Sequence, residues 1–598
     1  MFNETTGAED LTDTSGMFRR NVVQHQREES LQALLRDLYP DDSSEVVEKL
    51  SSQLLQILSQ SSEDHDVPVG SSRWRGDDAV LITYANTVAD DAAFGLQSLR
   101  GLVNRHLEPF ARVIHVLPFL KSTSDGGFAV SSYQTIEKEY GDWSDLNALA
   151  EGRRLMADLV LNHVSASHPW VQQFLRHEQP GESCVLEASP DPCWNDVVRP
   201  RSSALFTQLS GPHGRRQVWT TFGPDQVDLD WHHPQVLIGF IELLNRLLSH
   251  GVRWIRLDAV GFVWKEPNTS CIHLPQAHRL VEVLRFLLDR HGPDRVVVTE
   301  TNVPEQENLS YLRNGQEAHL AYNFPLPPLL LEAAMSGRAD LLNAWLARWP
   351  ELPNQTGLLN FTACHDGVGL RPLEGLMADQ RVLQLLMGCE RRGGLISHRR
   401  LSSGQEVPYE INISWWSAMA DGGIDPGHHQ RSRFLLTQLL VMALPGIPAF
   451  YLPALLATPN DLARFRRTGH RRDLNRPQFK LDAIERRLQD PDADATNVLA
   501  ALRHALEVRS SQQALHPDAA MTVLSSDRSD LVILKRSRDD DNALYAVHNI
   551  TPNRLTLSLA QLKAEFDNGF VDCLSGQSFS AQQQPSIEPY AVHWLVKP

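Results

Sequence analysis

Arg256 and Asp258 stand two residues apart at the end of the apolar run GVRWIRLD, residues 251–258. Val252, Trp254, Ile255 and Leu257 predict a short buried strand, and the two-residue spacing puts both charges on one face of it. Charges at the end of a buried strand cost free energy unless they are paired or used. A purely structural Arg–Asp pair is the plain alternative. The same build recurs three times, however: MADLVLNH ends on Asn162 and His163, VVVTE on Glu300, and NFTACHD on His365 and Asp366. Carboxylates, imidazoles and a guanidinium delivered at strand ends are the groups of acid–base and nucleophilic chemistry. A (β/α)8 barrel accounts for all of these runs together, because its active site is built at the carboxyl ends of its strands.

The remaining elements are read around that barrel. AVLITYA (79–85) predicts the first strand, residues 91–106 the first helix, and RVIHVLPF (112–119) the second strand; the loop KSTSDGGFAVSSY follows on the active face. Residues 164–230 show no clear alternation and read as a lid-like insertion after the third strand. Strong helices at 234–250 and 276–292 flank GVRWIRLD and VVVTE. AHLAYNF and LLNFTACHD are further strands, 390–430 a polar, Gly-rich loop over the active face, and the strand near Phe450 closes the barrel. Leu31, Leu34, Leu35 and Leu38, then Val46, Leu50, Leu54 and Leu58, fall at helical spacing. They predict a helical hairpin that packs on the barrel wall, with a homodimer contact as the alternative use. Ser59 to Asp66 is a polar break. From Met521 onward, short alternating segments such as DLVILKRS and NALYAVHNI predict antiparallel strands. The domains are therefore 1–70, a helical extension; 71–515, the barrel; and 516–598, a small C-terminal β domain.

Composition narrows the class. The 598 residues include 42% hydrophobic ones, enough for a large core, and 56 basic against 73 acidic residues give a formal charge of −17. That balance argues against nucleic acid and anionic membrane as partners and fits a small neutral or anionic substrate held by local arginines. The cysteines, Cys184, Cys193, Cys271, Cys364, Cys389 and Cys573, form neither a disulfide framework nor a metal-ligand spacing. Reduced thiols in a cytoplasm are expected, with no metal. The acidic start MFNETTGAEDLTD lacks the apolar stretch of a secretory signal. The apolar segment from Phe434 to Ala457 is broken by Pro445, Pro448 and Pro453, and reads as helix, turn and buried strand rather than a membrane span.

Taken in order, DLVLNH, IRLDAV, VVVTE and ACHDG resemble the four conserved regions of the α-amylase superfamily of glycoside hydrolases. The run GFVWKEPNTSC after Asp258, HDGVGL at 365–370 and DLNR at 473–476 are similar to its sucrose-phosphorylase group of retaining α-glucoside phosphorylases and transglucosidases. The resemblance implies Asp258 as nucleophile, Glu300 as general acid/base and Asp366 as the third carboxylate, holding sugar hydroxyls. It implies that Arg256 keeps Asp258 ionised, that His163 and His365 bond to glucose hydroxyls, that Asp125 and Arg476 hold the far end of the ring, and that Phe128 packs against its face. A retaining mechanism needs one ionised and one protonated carboxyl roughly 5–5.5 Å apart. Asp258 beside Arg256 suits the first role, and Glu300 after VVV suits the second, since burial raises a carboxyl pKa. A glucosyl–Asp258 intermediate would then be attacked by inorganic phosphate, with no other cofactor.

The acceptor side departs from sucrose phosphorylases. Where that group carries an Asp and a Gln bracketing a Tyr, VPYEINI keeps Tyr409 but has Val407 and Glu410, and the aromatic after the nucleophile is Phe262. These changes point away from sucrose. The N-terminal helices and TGHRRDLNR resemble the glucosylglycerate-phosphorylase branch. An anionic glycerate wants a guanidinium fork, and Arg399, Arg400, Arg471 and Arg472 lie in the loops that could provide one. Sucrose, sucrose 6-phosphate and glucosylglycerol remain alternative substrates, and hydrolysis or transglucosylation an alternative reaction. A non-catalytic sugar-binding barrel would lack one of the carboxylates, and none is missing.

Overall fold

The apolar runs form the staves of one closed, all-parallel barrel in the computed structural model, which describes residues 28–59, 73–90, 92–401, 404–421, 429–525, 528–538, 542–557, 562, 569–580 and 583–598. Its strands are β1 Val80–Thr83, β2 Val113–Val116, β3 Arg154–Val160, β4 Val252–Asp258, β5 Val296–Thr299, β6 Leu320–Tyr322, β7 Gly357–Phe361 and β8 Ile447–Tyr451. They neighbour one another in chain order, and β8 closes on β1. β4 begins sharply because Gly251 takes φ +85° after the helix Pro234–Ser249, and a Cβ there would lie 2.5 Å from the Ala150 methyl. Register then decides which side chains meet. Asp158 on β3 pairs across to Arg256 on β4, and Val160 to Asp258, so the charged positions share the interior face at the carboxyl end.

Around the barrel, helices 28–38 and Ser44–Ser59 bury Leu31, Leu35 and Leu38, then Leu50, Leu54 and Leu58. The second helix packs on Pro234–Ser249 of the barrel wall. The stripe predicted through Val46 runs through Val47 instead: Val46 is 43% exposed and Val47 fully buried, because 47, 50, 54 and 58 lie on one helical face. Residues 1–27 and 60–72 of the N-terminal segment, including most of the polar break, lie outside the described residues, as do 402–403 and 422–428 of the active-face loop. At the other end, Ala520–Val523, Leu531–Ser537, Ala543–Asn549, Val592–Val596, Phe570–Asp572 and Ser578–Phe579 form one antiparallel sheet. Alternation splits its side chains between two cores. Leu531, Ile533, Tyr545 and Val547 fill a core within the C-terminal domain, while Val532, Leu534, Leu544 and Ala546 join the barrel's core.

Two segments read as irregular carry strands. Within 164–230, Phe206–Gly211 and Gly214–Trp219 form a hairpin, and His163–Ser165 pairs with Gln226–Asp228. Within 390–430, Leu395–Arg400 pairs with Glu406–Asn412, whose other edge takes Val368–Gly369. The insertion is fastened to the barrel by a buried ammonium. Lys265 Nζ lies 2.6 Å from Asp228 Oδ2 and 2.7 Å from Asn162 Oδ1. This links the insertion, the end of β3 and the segment after β4. Removing one partner of a buried ion pair costs about 3–5 kcal/mol. Lys265→Met is therefore expected to lower unfolding free energy by about that amount and to open 164–230 to proteolysis. Denaturant melts and limited digestion check both effects; wild-type values in both would remove Lys265 as the fastening.

Candidate active site

Arg256 lies under the floor of the barrel mouth with 1% of its surface exposed. Its Nη1 is 2.5 Å from Asp158 Oδ1 and 2.7 Å from Asp258 Oδ1, and its Nη2 is 3.6 Å from Glu300 Oε2. Asp158 is held from the other side by His115 Nε2 of β2 at 2.8 Å. The guanidinium also stands over the rings of Tyr322 and Phe128, at 5.4 and 5.7 Å. One cation thus gathers carboxylates from β3, β4 and the end of β5.

Burial is the largest influence on Asp258 and raises its carboxyl well above the ordinary range; Arg256 opposes it and Glu300 adds to it. Glu300 is likewise raised, by burial first, with Arg256 opposing. Arg256 thus works for the ionised form of Asp258, the direction expected from the sequence, and burial works against it. The two carboxyls compete for one guanidinium and titrate as a pair. Asp258 holds the direct 2.7 Å bond to the guanidinium while Glu300 stands at 3.6 Å, so Arg256 favours the charged form of Asp258 more directly than that of Glu300. Ala259 follows with φ +50°, a left-handed backbone that costs a non-glycine residue roughly 1–2 kcal/mol. The strained turn aims its N–H at Glu300 Oε2, 3.2 Å away.

Asp366 sits in the loop beyond β7. Burial would raise its carboxyl, but Arg472, His365, Arg476 and Arg256 together outweigh burial and hold it well below the usual range. Arg472 Nη1 is 2.5 Å and Arg476 Nη2 3.7 Å from its Oδ1. Burial pushes both His163 and His365 below the ordinary imidazole range. Each is then neutral, with one ring nitrogen to donate and one to accept. His365 stacks on Phe128, centroids 5.1 Å apart at 9°. His163 Nε2 lies 3.1 Å from the Phe128 carbonyl and 3.0 Å from Gln226 Nε2, and that amide donates to Asp125 Oδ2 at 3.1 Å.

Asp125, Phe128, His163, Asp258, Glu300, His365, Asp366 and Tyr409 line one inner pocket of about 70 Å³. Arg256 is beneath it, and Arg476 is in the wall of an outer chamber of about 850 Å³ that continues from it. Of the candidate acceptor arginines, Arg472 reaches both spaces and Arg471 only the outer one. Arg399 instead pairs with Glu374 at 3.0 Å, and the exposed Arg400 lies 3.7 Å from Glu406. Neither lines the two spaces, although Ser397 and His398 of the same strand line the outer one. The sequence reading missed Asp158 and His115, although a charge inside the run MADLVL was a signal. It also missed Arg201, which lines both spaces and comes from an irregular stretch with no pattern to mark it. Among the described residues, Cys364, His365 and Asp366 cluster as metal donors do, but Arg472 and Arg476 already supply the positive charge there.

Comparison with known proteins agrees with this geometry. Residues 110–366 match the family model described as alpha amylase, catalytic domain. The chain is 37% identical over 525 residues to a glucosylglycerate phosphorylase of Allomeiothermus silvanus, covering 88% of this chain and 92% of that one. It is 33% identical over 525 residues to a glucosylglycerate phosphorylase of Escherichia coli K12, covering 87% and 92%. Among solved structures, sucrose 6F-phosphate phosphorylase from Thermoanaerobacter thermosaccharolyticum superposes with a TM-score of 0.69 at 23% identity, covering 81% of this chain and 95% of that one.

Asp258→Ala is expected to lower turnover of an aryl α-glucoside by on the order of 10⁴-fold or more, because no covalent intermediate forms; substantial residual turnover would exclude it as nucleophile. Glu300→Gln should slow glucosides with poor leaving groups by about 10²–10⁴-fold and activated ones far less; equal losses on both would argue against an acid role. Glu300 donates only while protonated, and its raised pKa extends that form above the ordinary carboxyl range. Wild-type kcat/KM on a poor leaving group should therefore fall as pH rises through the raised value. That basic limb should vanish in Glu300→Gln.

Proposed function

The chain belongs to the α-amylase family, in the branch that holds the glucosylglycerate and sucrose phosphorylases, and is a retaining α-glucoside phosphorylase; we propose that its aglycone is glycerate. In the reaction so read, Asp258 attacks C1 of the glucosyl unit while Glu300 passes its proton to the departing glycerate oxygen. A phosphate oxygen then attacks C1 from the vacated side, Glu300 takes up the phosphate proton, and the Asp258 ester bond breaks. Two inversions leave α-glucose 1-phosphate. Asp366, His163, His365, Asp125 and Arg476 hold the sugar, and Tyr409 borders the acceptor. The chemistry uses phosphate as co-substrate and needs no cofactor. No helix among the described residues is long and apolar enough to cross a membrane. The cysteines are unpaired, which supports a cytoplasmic setting.

One observation carries the choice of glycerate. Arg201 lies where the inner pocket meets the outer chamber, over the rings of Tyr409 and Phe222 at 5.5 and 6.0 Å, and it pairs with no carboxylate among the described residues. A guanidinium near two aromatic rings, with no carboxylate partner among the described residues, suits a small carboxylate or phosphate. The glucosylglycerate phosphorylases at 33–37% identity support the same reading.

Losing the partner of a desolvated carboxylate costs roughly 2–5 kcal/mol. With glucose 1-phosphate as donor, Arg201→Ala should lose well over about tenfold in kcat/KM for glycerate and much less for glycerol, whereas Arg399→Ala should match wild type. If Arg201→Ala treats both acceptors alike, or if wild type prefers fructose, the glycerate assignment fails.

A further inference from the structure

Glu410 puts a buried carboxylate on the acceptor side of a pocket that must admit anions. It is 1% exposed and lies on the strand Glu406–Asn412. Arg472 grips it by a fork: Nε donates to Oε1 at 3.1 Å and Nη2 to Oε2 at 2.8 Å. The remaining nitrogen, Nη1, is the one 2.5 Å from Asp366 Oδ1. One planar guanidinium therefore spans carboxylates from two separate loops. The backbone supports this approach. Gly369 pairs with Glu410 and Val368 with Ile411. At Gly367, next to Asp366, a Cβ would lie 2.6 Å from Glu410 Cγ and 2.5 Å from the Ile411 carbonyl, so a side chain there would push the two loops apart.

We propose that Glu410 is a positioning residue for the glucosyl subsite, fixing the plane of Arg472 so that Arg472 in turn orients Asp366 toward the sugar. A fork held by two hydrogen bonds leaves its third nitrogen one direction to point. Without Glu410, Arg472 is a long flexible side chain at the edge of the outer chamber, and Asp366 loses its fixed partner. The defect then falls on formation of the glucosyl enzyme, whatever the acceptor. The proposal rests on Asp366 holding the sugar.

The test uses α-D-glucosyl fluoride, whose leaving group needs no acid catalyst and whose turnover in water needs no anionic acceptor. Wild type releasing fluoride with α-glucose 1-phosphate formation in phosphate checks the phosphorylase reading separately. Glu410→Gln is expected to lower kcat for fluoride release by about tenfold or more, in water and in phosphate alike. The double variant Glu410→Gln/Arg472→Met should be no slower than Arg472→Met alone, within about twofold, because the two side chains act as one unit. Arg472→Lys, which keeps the charge and loses the fork, should reproduce the loss and keeps the test decisive if Glu410→Gln folds poorly. Undiminished fluoride release in Glu410→Gln or in Arg472→Lys overturns the proposal, as does a change confined to phosphate and glycerate KM, or a double variant that shows the product of the two single losses.

Discussion

The site depends on one guanidinium serving three buried carboxylates. Asp158, Asp258 and Glu300 all lie within 3.6 Å of an Arg256 nitrogen. Buried carboxylates of like charge cannot share a dry site without a cation to compensate them. A lysine would offer a point charge; an arginine offers a rigid fork that bonds Asp158 and Asp258 through one nitrogen while facing Glu300 with another. That arrangement also makes the two reacting carboxyls unequal. Asp258 has the short bond and Glu300 the long one, so the guanidinium treats two residues raised by the same burial differently, an inequality that suits the proposed roles of nucleophile and acid.

The barrel makes this arrangement reproducible. Parallel register places Asp158 beside Arg256, and the two-residue repeat of a strand aims Arg256 and Asp258 the same way. The strained turn at Ala259 then supplies an N–H to Glu300, a local cost met by the packed strands on either side. Charge is distributed by depth. Carboxylates and neutral imidazoles line the inner pocket, Arg201 borders the way in, and Arg472 is matched to Glu410 and Asp366. A protein of net charge −17 thus keeps the positive charge of Arg201 local to the entrance of the pocket.

The strand-end residues were legible in sequence because a polar group after a buried apolar run violates the rule that such runs stay apolar. Asp258, Glu300 and Asp366 announce themselves that way. Asp158 breaks the same rule inside its run, yet its role appears only once register shows which strand it faces. Arg201 had no such signal, since the insertion that carries it alternates too weakly to read as strands, and its importance comes from where the chain folds back. The arginine pairs in 399–400 and 471–472 show the limit from the other side. Charge and loop position nominated all of them, and of the four Arg472, in the turn Arg471–Asn475, reaches both spaces and Arg471 the outer one. The strand Leu395–Arg400 spends Arg399 on Glu374.

The most direct test of the account is to trap the covalent intermediate. In the proposed reaction Glu300→Gln removes the base that activates the second nucleophile and leaves Asp258 intact. Incubation with α-D-glucosyl fluoride, followed by acid quench and mass spectrometry of the digested protein, should show one added glucosyl residue on the peptide containing Asp258, and phosphate should discharge it slowly to α-glucose 1-phosphate. An adduct on any other residue, or a β-configured product, would contradict the division of labour that Arg256 imposes on the two carboxyls.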